Sequence, residues 1–157
     1  MSLTLEDVMV EDVITVGEKA TVREAVELMN KHEIGCLIVV KGSKPAGIVT
    51  ERDMLKRILL EFKDSERTKV TEIMSKPLVF GKPQMSIEDA VKLMFKRKIK
   101  KLPVAENDHL VGLVTLTDLV RSQEIIKMLK KLPAEETPRR MKKVVDYFDR
   151  IISISYE

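Results

Sequence analysis

Cysteine occurs once in the 157 residues, at Cys36, and tryptophan does not occur at all. A single thiol excludes an internal disulfide and any cage of cysteines around a metal. Aromatic residues make up only 4% of the chain, so no platform for stacking successive bases is evident. Charge of one sign is also lacking: 28 basic against 25 acidic side chains leave a net +3, too little to argue for nucleic acid by itself. No apolar run approaches the roughly 18 residues that a bilayer span needs. The N-terminus has no basic stretch leading into an apolar one, so no export signal is visible and a cytoplasmic setting is expected. Asn30, Asn107, Gln84 and Gln123 are the only side-chain amides, beside abundant Lys and Glu, a balance that fits a thermophilic source. Missing too are a Gly-rich Walker loop, a His/Cys spacing for a metal, a nucleophilic elbow and an evident acid–base pair, so an enzyme is not expected.

What is present is repetition. Gly47-Ile48-Val49-Thr50-Glu51-Arg52-Asp53 returns as Gly112-Leu113-Val114-Thr115-Leu116-Thr117-Asp118. The shift that carries Thr50 onto Thr115 also carries Met9 onto Met74, Ala25-Val26 onto Ala90-Val91 and Leu28-Met29 onto Leu93-Met94. It carries Ile34 onto Ile99, Leu37 onto Leu102 and Val39 onto Val104, without a gap. Register kept over so long a stretch means two copies of one supersecondary unit.

Each copy opens with a short turn of helix (5–9; 70–74) and a brief extended run (13–16; 78–80). Thr21-Val22-Arg23-Glu24 is a capping box for a helix whose apolar face carries Val22, Ala25, Val26 and Met29. Ser86 opens its counterpart, with Ile87, Ala90, Val91 and Met94 on the same face. Two apolar runs then flank a polar turn, Lys41-Gly42-Ser43-Lys44 in the first copy and Glu106-Asn107-Asp108 in the second. Short, β-branched and turn-bounded, these runs read as hairpin strands. A second helix starts at each Thr-x-x-Asp segment.

The order is β-α-β-β-α twice, with a charged linker near 61–68. The expected organisation is one repeat over 1–64, a second over 65–122 and a helical extension over 123–157. A composition of 44% hydrophobic and 34% charged residues is that of a globular chain. A single unit of about 55 residues buries too little to stand alone comfortably. The two are therefore expected to pack through their sheets with pseudo-two-fold symmetry, an α/β architecture.

Beyond Ser122 the repeat stops. Thr137-Pro138 supplies a cap and a proline at a first helical position. Met141, Val144, Val145, Phe148, Ile151 and Ile152 then form a stripe at helical spacing. The 138–152 helix so expected must bury that stripe on its own module, across a homodimer, or on another protein with Arg139, Arg140, Lys142 and Lys143 at the rim.

The chain resembles the CBS domain family in its tandem form, the Bateman module. The resemblance is carried by Asp7-Val8-Met9 and Glu72-Ile73-Met74, by Ile34-Gly35-Cys36-Leu37-Ile38-Val39 and Ile99-Lys100-Lys101-Leu102-Pro103-Val104, and by the two Gly-h-h-Thr-x-x-Asp segments. It covers roughly residues 5–122. It implies a pseudo-dimeric cleft, a homodimer of pairs, no catalysis, and an adenosine ligand such as AMP, ADP, ATP or S-adenosylmethionine.

Within that frame, Asp53 and Asp118 each offer two oxygens to the hydroxyls of a ribose diol. Thr50 and Thr115 place a hydroxyl and free backbone N–H groups at a helix N-terminus, where an anion is favoured. Gly47 and Gly112 leave room for a ligand beside the strand. The same Thr-x-x-Asp is also a variant capping box, and one residue pair can serve both ends. The resemblance further places Leu78 and Val79 beside Asp53, and Val13 and Ile14 beside Asp118, as apolar walls for an adenine ring.

Lys100 and Lys101 match positions where nucleotide-binding members carry basic residues that reach phosphates. Their equivalents are Gly35 and Cys36, whereas Arg52 faces a neutral Thr117. The two sites are thus not equivalent. Rival readings are a nucleic-acid binder, against which the aromatic content argues, and a structural dimerisation module whose signatures only cap helices. His32 and His109 are expected at the surface.

Overall fold

Thr21 starts the first long helix because its hydroxyl accepts the Glu24 N–H at 3.2 Å while the Glu24 carboxylate accepts the Thr21 N–H at 2.7 Å. The computed structural model describes residues 3–76, 78–121 and 131. The expected 138–152 helix lies outside them.

Helix α1 spans Leu5–Val8 and strand β1 Thr15–Gly17, followed by α2 at Val22–His32. Strands β2 (Cys36–Lys41) and β3 (Lys44–Thr50) lead into α3 (Glu51–Met54), which widens into a π-helical turn over Leu55–Leu59. Then come α4 (Val70–Ile73), α5 (Ile87–Arg97), β4 (Lys101–Glu106), β5 (His109–Thr115) and α6 (Leu116–Arg121). The elements follow the order that the repeat predicts, except that, among the described residues, no strand of the second copy precedes α5.

Two expectations need correction. Val26 does not share the buried face of α2: it is 42% exposed while Val22, Ala25 and Met29 are buried, and Leu28 packs on the flank. Val26 stands about 100° around the helix from Ala25, at the edge of the stripe and outside the residues that meet the core. Its equivalent Val91 is buried, so the two long helices differ here.

The second correction concerns 78–80, which form no strand. The pairing falls instead on Gly81, a one-residue parallel bridge to Val104 with Gly81 N donating to Pro103 O at 2.9 Å and Ala105 N to Gly81 O at 3.0 Å. Gly81 is the repeat equivalent of Val16, whose own pairing with Val39 belongs to the longer run of β1. Pro83 and Pro103 each remove a backbone donor from this neighbourhood, which keeps the ladder short.

By backbone contacts the chain forms two units. One holds α1, α5 and α6; the other holds β1, α2, β2, β3, α3, α4 and the hairpin residues 103–113. In the second unit β1 runs parallel to β2, and β2 antiparallel to β3 with Leu37 opposite Val49 and an irregularity at Val39/Val40. Its core joins Val16, Val22, Ala25, Met29, Leu37, Val39, Val49 and Ile58 to Val70 and Ile73 of α4. In the first unit Leu5 of α1 is buried, as are Ile87, Ala90, Val91 and Met94 of α5.

The opening helices are therefore exchanged. Helix α4, from the second sequence copy, is tied to the start of α2 by Val22 N to Thr68 O at 2.9 Å and Val70 N to Ala20 O at 3.0 Å. Helix α1, from the first copy, is tied to the start of α5 by Leu5 N to Met85 O at 2.9 Å and Ile87 N to Leu3 O at 3.1 Å. The buried side chains at the exchange, Leu5 and its equivalent Val70, each contribute about 1.5–3 kcal/mol.

Both long helices end on a residue that is not glycine in the left-handed region, Glu33 at φ 53° and Lys98 at φ 56°. The conformation is set by the closing bonds, such as Ile34 N to Met29 O at 3.0 Å and Ile99 N to Met94 O at 2.9 Å. Glycine relieves the side-chain clash there. Glu33→Gly and Lys98→Gly are each expected to stabilise the fold by about 0.5–1 kcal/mol, read as a higher urea midpoint. A lower midpoint for both would contradict the cap geometry.

Candidate functional site

The first signature closes on itself. Asp53 Oδ2 accepts the Thr50 N–H at 2.9 Å and the Thr50 hydroxyl at 3.1 Å, and Thr50 Oγ1 in turn accepts the Asp53 N–H at 3.3 Å. The second repeats it: Asp118 Oδ2 accepts from Thr115 N at 3.3 Å and from Thr115 Oγ1 at 2.7 Å, and the Asp118 N–H returns at 3.1 Å. The capping reading is thus correct for both copies.

The N–H groups expected to be free are partly taken. The first N–H of α3, on Glu51, is donated to Gly35 O at 3.0 Å, and that of α6, on Leu116, to Lys100 O at 2.8 Å. An anion at either helix end would find these two donors and the capped Asp N–H already engaged.

Capping alone does not mark a site, because α1 carries the same four-residue pattern. Asp7 Oδ2 accepts the Thr4 N–H at 2.8 Å and the Thr4 hydroxyl at 3.0 Å. Those two bonds, the backbone one foremost, hold the exposed Asp7 carboxylate below its ordinary range. What separates Asp53 and Asp118 from Asp7 is burial. The Asp53 side chain is only 13% exposed and Asp118 is half-buried, whereas Asp7 is exposed. A carboxylate taken that far out of water needs partners for both oxygens.

In the first signature, the other oxygen of Asp53 looks to Arg57. Arg57 Nε lies 3.9 Å from Asp53 Oδ1, and Arg57 Nη1 donates to the carbonyls of Ile73 and, at 3.4 Å, of Met74. Arg57 was not singled out from the sequence. The signal was available: it stands four residues after Asp53 in a helical stretch, where opposite charges meet. Arg52, the cation that was singled out, is exposed and makes no ion pair with Asp53. In the second signature, no hydrogen bond or ion pair among the described residues reaches the other oxygen of Asp118.

The structure gives Gly47 a role of its own. A Cβ there would meet Met74 Sδ, Met74 Cγ at 2.8 Å and the Ser75 carbonyl at 3.1 Å. A close approach that favours glycine is thus made by the protein's own chain. It belongs to an antiparallel bridge, with Ile48 N donating to Ser75 O at 3.1 Å and Ser75 N to Ile48 O at 2.9 Å. The bridge has a twin at the repeat-equivalent positions, Val10 with Leu113, each N–H donating at 3.0 Å.

The first bridge brings the chain after α4 to the strand that ends in Thr50. Ser75 makes that bridge, and Leu78 and Val79, further along the chain, are half-buried. Thr50, Asp53, Arg57, Met74, Leu78 and Val79 all fall in one unit. Val13 and Ile14 are half-buried in that same unit, and Ile14 packs against its core. Thr115, Asp118, Lys100 and Lys101 fall in the other, where Lys100 is exposed and Lys101 half-buried. Lys100 meets the second signature through its backbone carbonyl, and Gly35 does the same for the first. His32 and His109 are exposed. Among the described residues no group of three His, Cys, Asp or Glu could hold a metal, and no helix is long and apolar enough to cross a membrane.

Residues 5–60 and 70–125 each match the CBS domain family. The chain belongs to the CBS domain family. It is 39% identical over 120 residues to the CBS domain-containing protein YhcV of Bacillus subtilis, covering 76% of this chain and 85% of that one. It is also 39% identical over 115 residues to the inosine-5′-monophosphate dehydrogenase of Korarchaeum cryptofilum, but spans only 23% of that protein. Among solved structures, a hexameric CBS-CP12 protein from bloom-forming cyanobacteria superposes with a TM-score of 0.74 at 30% identity, covering 81% of this chain and 75% of that one. The fold is therefore a tandem CBS pair of mixed α and β structure.

The contact at Gly47 is directly testable. Gly47→Ala is expected to cost about 1–3 kcal/mol, the range for overpacking a close-fitted interior, because the Ser75 carbonyl is held by its bridge. Chemical denaturation measures it, and Met74→Ala in the same chain is expected to recover part of the loss.

Proposed function

We propose that the chain is a regulatory module that senses an adenosine nucleotide or derivative (AMP, ADP, ATP or S-adenosylmethionine) and passes its bound state to a partner protein. The observation that carries this reading is the pair of half-buried carboxylates, Asp53 and Asp118, each with one oxygen committed to its threonine and the other turned elsewhere. A ribose hydroxyl is a suitable donor to that second oxygen, and a hydrogen bond to a charged acceptor is among the stronger ones. Membership of the CBS family, whose domains typically bind such ligands, supports it. So does the chain after α4, which puts Leu78 and Val79 downstream of a bridge to the signature strand. At the second signature, Lys100 and Lys101 would face phosphates.

Sensing requires that the ligand bind one arrangement of the module more tightly than another. Assembly of copies belongs to the same proposal. It is supported by the hexamer of the cyanobacterial relative and by four apolar side chains turned outward in one short stretch, Leu55 at 56% exposure, Leu59 at 68%, Leu60 at 72% and Phe62 at 96%. The division into repeats over 1–64 and 65–122 with an extension over 123–157, and a cytoplasmic, non-catalytic role, remain part of this reading. The competing view, that the signatures only cap helices, is favoured by Asp7, which makes the same two bonds at a helix with no such role.

Calorimetric titration with AMP, ATP and S-adenosylmethionine separates the two. Asp53→Ala and Asp118→Ala are each expected to weaken one site by about 1.5–3 kcal/mol, while Asp7→Ala, which removes an equivalent cap, leaves binding intact. If the wild-type chain takes up none of the three ligands, or if both signature variants bind as it does, the sensing role fails and the capping role stands alone.

A further inference from the structure

The two oxygens of Asp53 have different neighbours, and the difference leads to a residue with no counterpart in the other copy. Oδ2 is spent on Thr50. Oδ1 faces the Arg57 guanidinium, which also donates from Nη1 to the carbonyls of Ile73 and Met74. Those carbonyls end α4, where the last C=O groups have no partner within the helix. Ile73 is fully buried in the core, and Met74 fills the space that Gly47 leaves. The next residue, Ser75, is paired with Ile48.

We infer that Arg57 is the positioning residue of the first site: its guanidinium ties the Asp53 carboxylate to the carbonyls that end α4, so that the carboxylate and the chain leaving α4 at Ser75 are held as one piece. The inference rests on the ligand-sensing reading proposed above. A planar fork serves a carboxylate and two carbonyls at once, which a lysine ammonium on a flexible stem does not. A ligand spanning Asp53 and the chain leaving α4 at Ser75 then meets groups already in register, and the cost of ordering them has been met in folding. The repeat equivalent of Arg57 is Ser122, so the second copy carries no cation at that position. The first site is accordingly pre-ordered.

The test reads each site separately. AMP is titrated calorimetrically into Asp118→Ala, which leaves the first signature, and into Asp53→Ala, which leaves the second. Adding Arg57→Ala is expected to weaken AMP about tenfold in the first background and to leave the second unchanged. Arg57→Lys, which keeps the charge and loses the fork, is expected to weaken it too. Without ligand, amide hydrogen exchange at Ile48 and Ser75 is expected to quicken in Arg57→Ala, while exchange at the twin bridge of Val10 and Leu113 stays as it was.

Equal AMP affinity with and without Arg57 in the first background overturns the inference while leaving the sensing role intact. So does a loss shared by both backgrounds, which marks general destabilisation. Full binding by Arg57→Lys overturns the tie in favour of plain charge, and unchanged exchange at Ser75 overturns it on structural grounds. If the wild-type chain takes up no AMP, ATP or S-adenosylmethionine, the sensing role fails and this inference goes with it.

Discussion

The antiparallel bridge between Ile48 and Ser75 governs where the first signature can act. Two hydrogen bonds align the end of β3 with the chain leaving α4, and they do so at the cost of any side chain on residue 47. Once that alignment is set, the rest is fixed by short covalent distance. Thr50 is two residues beyond Ile48, Asp53 is one helical turn further, and Leu78 and Val79 lie three and four residues beyond Ser75. The twin bridge of Val10 with Leu113 aligns the second strand with the chain leaving α1 by the same geometry. Both bridges depend on the exchange of opening helices, since Ser75 follows α4 and Val10 follows α1. Duplication here therefore does more than supply two copies. Each copy completes a strand pairing and a core that belong largely to the other.

The same capping chemistry recurs with different consequences. Thr4 with Asp7, Thr21 with Glu24, Thr50 with Asp53 and Thr115 with Asp118 all exchange a hydroxyl and a carboxylate across the first turn. At Asp7 and Glu24 the carboxylate is in water and the bonds do no more than start a helix. At Asp53 and Asp118 the same arrangement sits where water is partly excluded, so the uncommitted oxygen becomes a demand for a partner. Helix initiation is thus one device in two dielectric settings. Burial decides which threonine–aspartate pair keeps an oxygen that water only partly serves.

Much of this was legible in the sequence because it rests on local chemistry. Capping residues, apolar periodicity and turn composition act within a few positions, and the constant offset between the copies confirmed each assignment with a second instance. The hairpins, the long helices and the two signatures followed. What escaped was set at a distance. Nothing near Gly47 says that Met74 fills its missing side chain, and nothing near residues 78–80 says that the pairing moves on to Gly81. Val26 reads as core by spacing alone, yet it stands outside the residues that meet the core. Arg57 escaped for a different reason. Its value lies in carbonyls sixteen and seventeen residues away, which no local pattern marks, although its spacing from Asp53 did.

The differences between the copies now have a physical order. Each signature helix donates its first N–H to the residue before the hairpin, Gly35 in one copy and Lys100 in the other, so the backbone role is common and only the side chain varies. The second copy offers exposed ammonium groups near that point and a carboxylate oxygen with no partner among the described residues. The first offers no side chain at Gly35 but a guanidinium bonded from within. An exposed side chain keeps its rotamer freedom, whereas a guanidinium bonded to two backbone carbonyls has given it up in folding. Under the sensing role proposed above, the exposed cation would accommodate anionic groups of different shape, and the tied one would favour what fits the fixed carboxylate.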